Sequence, residues 1–191
     1  NRFAGYDYSA MGHSWGGFST LNISALHQDI SHIIVFSGFV SVNMLVNAFF
    51  GGLLKPYRKA IMKLEESSNP DFVKFNAVKT LSNTKAKVLL IYSDNDMLCS
   101  KKIHYDTLKN ALDGKNNIEF LLENKKGHNP NYSADAVVHL NEYINAKNKL
   151  IKQKKLVSDN QKKEFINSFD WDRMTQQDIR VWNKIFECLD N

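Results

Sequence analysis

Met11-Gly12-His13-Ser14-Trp15-Gly16-Gly17 spells Gly-x-Ser-x-Gly with one more glycine behind it. The run suits a sharp strand-to-helix turn, a nucleophile elbow, that holds a serine at its tip in a strained backbone conformation. The spacing has a steric reason. The residues two before and two after the serine approach each other, side chains at those places clash, and Gly12 and Gly16 avoid the clash. A helix from Trp15 to about His27 then aims its first N–H groups at the place where negative charge develops on a reacting group. Serine is also a preferred helix cap, so the neighbouring segments have to choose between the two readings.

Those segments alternate. Tyr6–Met11 is the strand entering the turn, a weak one of tyrosines and small residues with Asp7 among them. Ile33-Ile34-Val35-Phe36 and Val88-Leu89-Leu90-Ile91-Tyr92 are continuous apolar runs, the pattern of strands buried on both faces of a parallel sheet. Ile118–Leu122 is a fourth strand. Helices are expected at Lys55–Glu66, at Ser100 to about Leu112 before Asp113-Gly114, and at Ser133 to about Lys155, with Val137, Leu140, Ile144 and Ile151 on one face. Lys162–Phe169 and Gln177–Leu189 are the last two. Strand and helix in alternation predict an α/β fold, a parallel sheet with helices on both faces. Functional residues then gather at the C-terminal ends of the strands. Ser14 follows the first strand, Asp94 and Asp96 the third, and His128 the fourth.

Composition sets the frame for this reading. Of 191 residues, 43% are hydrophobic and 24% charged, enough apolar material for one core, with no apolar run long enough to span a bilayer. The net charge of +5 owes much to Lys147, Lys149, Lys152, Lys154 and Lys155, which read as a solvated helix face. Neither interleaved aromatics nor a recognition motif accompanies them, so no nucleic-acid partner is expected. No stable membrane insertion is expected either. Cys99 and Cys188 have no metal-ligand spacing; two free thiols are expected, with one disulfide between them as the alternative. His27, His32, His104 and His139 show no paired metal spacing, and Asp94-Asn95-Asp96 lacks the further ligands of a calcium loop. No metal is therefore expected.

Together, Gly12-His13-Ser14-Trp15-Gly16-Gly17, the segment Leu89–Asp96 and Gly127-His128 resemble the α/β-hydrolase superfamily, in chain order Ser, Asp, His. The elbow resembles those of the lysophospholipase, monoglyceride-lipase and serine-aminopeptidase branches. In the family's strand-plus-acid motif four apolar residues precede a small residue, here Ser93, and the acid comes three later, which selects Asp96 over Asp94. The resemblance covers roughly residues 6–145. It implies Ser14 as nucleophile, His128 as general base, Asp96 as its orienter and the Trp15 N–H as one oxyanion donor, with no cofactor. His13 is expected to pack beside the elbow. The implied activity is hydrolysis of carboxylic esters or small amides; the alternative is a hydrolase-like module that binds without catalysis, or an inactive truncated fragment. A short helical cap insertion is expected at about 40–82, and a helical C-terminal extension at about 146–191. Phe39, Phe49, Phe50, Leu53 and Leu54 of the insertion are read as cap residues packing on the core or as a lipid-binding surface.

The family places several strands and helices before its elbow, whereas only a few residues precede this one. The reading is therefore a C-terminal portion of the fold, with the first oxyanion donor unaccounted for and an open sheet edge beside Tyr6–Met11 through which the chain is expected to self-associate.

Overall fold

The apolar runs become four strands of one parallel sheet in the computed structural model, which describes residues 5–190. They are β1 (Tyr8–His13), β2 (Ile30–Phe36), β3 (Lys87–Ser93) and β4 (Ile118–Glu123), side by side in that order. Their register sets His13 opposite Phe36 and Phe36 opposite Ile91, so the C-terminal ends lie along one edge of the sheet.

Nine helices complete the described chain: α1 (Trp15–Asn22), α2 (Val42–Phe49), α3 (Tyr57–Ser68), α4 (Ala77–Asn83), α5 (Asp106–Ala111), α6 (Ala134–Lys152), α7 (Asp159–Asn167), α8 (Trp171–Met174) and α9 (Ile179–Asp190). None is long and apolar enough to cross a membrane. The chain divides into two compact units, one running to Pro130 and taking in the end of α9 from Lys184, the other comprising Asn131–Asn183.

In the first unit strand order follows chain order. With right-handed crossovers, all three connections must then lie on one face of the sheet. The core shows it: Ile33, Val35, Val88, Leu90 and Tyr92 pack with Leu21 of α1, Ala77 and Leu81 of α4 and Leu108 of α5. Ile34, Phe36, Leu89 and Ile91 point the opposite way and are buried as well. On that face the end of α9 is held by Lys184, whose Nζ lies 2.9 Å from the Glu119 carboxylate of β4. Both faces are thus covered, the condition under which continuous apolar strands are stable.

The connection from β2 to β3 carries two extra helices. Ser41 caps α2 by accepting the Met44 N–H (3.2 Å), and Phe39, Val42, Val46 and Val73 form a small second core with Phe18 of α1. Helix α4, which the sequence reading did not pick out, is the true crossover. Asn76 caps it through the Val78 and Lys79 N–H groups, and the Ala77 N–H reaches the Val40 carbonyl at 2.9 Å.

Other boundaries also move. Helix α1 ends at Asn22, and a 3-10 turn at Ile23–Ala25 replaces the expected run to His27. Ser100–Leu112 is not one α-helix; a π-helical turn at Lys101–Tyr105 precedes α5.

In the second unit, the expected stripe of α6 is inward only at its start, where Val137 is buried and Leu140 half-buried. Ile144 and Ile151 are exposed, while Tyr143 is ringed by Phe165, Phe169 and Trp171 at centroid distances of 5.1–5.3 Å. The aromatic cluster outweighs the aliphatic stripe because each ring buries more apolar area than an isoleucine. Asp135 receives Arg173 in a two-pronged ion pair (2.7 and 2.9 Å), and Ser158 and Gln161 form a reciprocal capping box on α7. The lysines at 147, 149, 152, 154 and 155 are exposed.

Candidate active site

Ser14 lies between β1 and α1 with φ 57° and ψ −115°, outside the regions that side chains tolerate without strain. Two backbone hydrogen bonds hold it there. Its N–H donates to the Phe36 carbonyl (3.0 Å), and its own carbonyl accepts the Phe18 N–H (2.9 Å). Beneath it, Gly17 packs on Gly38, and the Gly38 carbonyl receives the buried Tyr92 hydroxyl at 2.6 Å. The Ser14 side chain makes no helix-capping hydrogen bond, so the capping explanation for this serine fails.

The steric expectation holds for Gly12 and not for Gly16. A Cβ on Gly12 would stand 2.3 Å from the Gly16 carbonyl oxygen, whereas a Cβ on Gly16 would meet nothing within 4 Å. The close approach is one-sided: Gly16 presents its carbonyl, not its α-carbon, to Gly12. The second crowded position is Gly17, whose Cβ would lie 2.9 Å from the Gly38 α-carbon.

At the end of β3, Asp96 is buried and holds three donors. Its Oδ1 accepts the Leu98 and Cys99 N–H groups (2.8 and 3.0 Å), and its Oδ2 lies 2.8 Å from His128 Nδ1. Burial alone would raise the Asp96 carboxyl. The hydrogen bonds from His128, Cys99 and Leu98 outweigh it and hold the pKa below the usual carboxylate value. Asp96 is thus an anion aimed at a ring nitrogen, and His128 must carry its proton on Nδ1 to donate to it. Asp94, the other acid weighed from the sequence, faces elsewhere: its Oδ1 accepts the Lys125 N–H at 2.8 Å.

That contact belongs to a row. Ser93 Oγ accepts the Lys126 N–H (2.9 Å) and Asn95 Oδ1 the Gly127 N–H (2.8 Å). Ser93 at the end of β3 and the three residues after it therefore fasten Lys125–His128 beyond β4. The sequence reading missed Ser93 and Asn95; their small polar side chains flanking two acids were the available signal.

The elbow is tied to the same loop by His13. Its Nε2–H donates to the His128 carbonyl at 2.6 Å, and the two rings lie 4.7 Å apart. Ser14 thus follows directly on a residue that touches His128, although Ser14 Oγ makes no hydrogen bond among the described residues. Such bonds often tighten only when substrate is bound. Trp15 starts α1, where first-turn N–H groups have no helical acceptor, and its indole stands edge-on to Phe39 at 4.8 Å. Both cysteines are free thiols; Cys99 is buried.

The family model described as the prolyl oligopeptidase family matches residues 6–153. No curated protein sequence matches significantly. Among solved structures the chain is similar to a puromycin-hydrolyzing peptidase of Mycobacterium tuberculosis (16% identical, TM-score 0.47, 63% of this chain and 18% of that one). It is also similar to the acylaminoacyl peptidase of Pyrococcus horikoshii (22%, TM-score 0.45, 63% of this chain and 19% of that one). A third is an α/β hydrolase from a sediment metagenome of the lagoon of Mar Chica, Morocco (17%, TM-score 0.45, 80% of this chain and 65% of that one). The chain spans less than a fifth of the length of the two peptidases.

Proposed function

Because the chain belongs to the prolyl oligopeptidase family, within the α/β-hydrolase superfamily, we propose that it carries a serine-hydrolase site cleaving carboxylic esters or small amides through an acyl-enzyme on Ser14. The observation behind this reading is the pairing of buried Asp96 with half-buried His128 at 2.8 Å, tied through His13 to a serine in strained backbone with no capping bond.

In the proposed reaction His128 Nε2 takes the Ser14 hydroxyl proton as Oγ attacks the carbonyl carbon. Asp96 fixes the Nδ1–H tautomer and stabilises the imidazolium that forms. The Trp15 N–H donates to the carbonyl oxygen as it becomes an oxyanion, a contact worth about 2.7–4 kcal/mol in comparable sites. His128 then returns the proton to the leaving alcohol or amine, and water repeats the cycle on the acyl-enzyme. The family leans the substrate towards peptide amides; an ester needs no different machinery.

A fluorophosphonate probe should label Ser14, and Ser14→Ala should abolish labelling and p-nitrophenyl ester turnover with Tm nearly unchanged. Turnover retained in Ser14→Ala would end the assignment. Absence of labelling in the folded protein would favour the non-catalytic binding module instead.

A further inference from the structure

Among the described residues, Asp96, Cys99 and His128 form the group of three metal-capable side chains whose donor atoms all lie within 4.8 Å of one another. Asp96 and Cys99 are buried, and the His128 side chain is 18% exposed. The set offers one carboxylate oxygen, one imidazole nitrogen and one sulfur. A tetrahedral zinc ion takes such donors with bonds of about 2.0–2.3 Å and so holds them roughly 3.3–3.7 Å apart. To reach that spacing the Asp96 Oδ2–His128 Nδ1 pair, now 2.8 Å apart, has to separate slightly while the Cys99 sulfur swings towards it. Met97 and Leu98 of that loop are exposed, so little packing opposes the change.

We propose that this triangle is an inhibitory zinc site, in which Asp96, Cys99 and His128 bind Zn²⁺ with a water as fourth ligand. The site itself rests on the geometry of the three donors; its inhibitory effect rests on the serine-hydrolase reading above.

The proton balance explains both binding and inhibition. Without the ion Cys99 is a buried free thiol. Zinc displaces its proton to solvent, because metal ligation requires the thiolate. The Asp96–His128 hydrogen bond breaks, and the imidazole shifts its proton from Nδ1 to Nε2 while Nδ1 binds the metal. One proton is released. Thiolate and carboxylate together neutralise the divalent ion, which offsets the cost of placing it in a buried site. With Nε2 protonated, His128 can no longer take the Ser14 proton.

The test uses the Cys188→Ser protein, in which Cys99 is the sole thiol. Cobalt(II) should give a thiolate-to-metal charge-transfer band in the near ultraviolet, at one ion per chain. Zinc at about ten times its Kd should slow fluorophosphonate labelling of Ser14 about tenfold, by simple occupancy, and a chelator should restore it. Adding Cys99→Ser, which keeps the backbone N–H that Asp96 uses, should remove both the band and the zinc dependence. If that variant does not fold, Asp96→Asn must weaken the band. No band in Cys188→Ser overturns the site. A band with zinc-insensitive labelling overturns the inhibition. Absence of labelling with and without zinc is a failure of the hydrolase reading, and the cobalt band then judges the metal site alone.

Discussion

At the scale of single residues, position relative to a strand end decides between side chains of the same kind. Asp94 and Asp96 both follow β3, but one accepts a backbone N–H and the other faces His128. Asp96→Asn should therefore lower kcat for an ester substrate by roughly 10³–10⁴-fold, the consequence of presenting the wrong tautomer. Asp94→Asn should lose less than about tenfold, since an amide oxygen still accepts the Lys125 N–H. Equal losses would show that the two loops work as one rigid unit.

His104 offers a prediction on stability at the same scale. It is fully buried, accepts the Val40 N–H at Nδ1 (3.3 Å), and burial pushes its pKa down to about 4. Its folded pKa is thus depressed, so its contribution is fully present above the unfolded value, about 6.5. As pH falls below that, the unfolded chain binds a proton that the folded one refuses, and stability is lost until about pH 4. The loss is roughly 3 kcal/mol. Urea titrations at successive pH values should show this slope in the native protein and a flatter one in His104→Gln. Matching slopes would place the acid sensitivity elsewhere.

At the scale of elements, the elbow is a packing problem as much as a chemical one. Gly12 and Gly17 are crowded by backbone atoms of Gly16 and Gly38, which cannot move aside cheaply, while Gly16 borders open space within a helix. Gly12→Ala and Gly17→Ala should each cost about 1–3 kcal/mol or prevent folding. Gly16→Ala should be neutral or stabilise by up to about 1 kcal/mol through helix propensity. Thermal melts separate the cases, and a large loss at Gly16 would contradict the arrangement.

The same contrast shows what was legible in the sequence. Ile33–Phe36 and Val88–Tyr92 announced buried strands because both faces of each strand are covered, and the residues that meet at the site were visible as small motifs at strand ends. The crossover helix Ala77–Asn83 was not visible: it is short, and its buried positions, Ala77 and Leu81, are too few to show a period. Only the later part of the α6 stripe, Ile144 and Ile151, was misjudged, because there a tyrosine ringed by aromatics from distant sequence takes the inward place. The tie from His13 to His128 spans 115 positions, beyond any local pattern.

At the scale of the whole molecule, the sheet is unequal at its two sides of β1. One side pairs with β2 along its whole length; the other meets no strand among the described residues. Met11 on this strand is 46% exposed and Tyr6 just before it 70%. Unpaired strand edges flanked by exposed apolar side chains are templates for pairing with another chain. No Pro lies in Tyr8–His13 and no Lys or Arg blunts it, so the usual protections against such pairing are absent. The 191-residue chain is therefore expected to self-associate through this edge. Sedimentation velocity should show dimers or larger species whose share grows with concentration, and Met11→Lys, which sets a charge on the strand without touching Gly12, should shift the distribution towards monomer. A monomer that stays single at high concentration and melts cooperatively would show that twist or the residues before Tyr8 already shield the edge, and that β1 is stable with one neighbour.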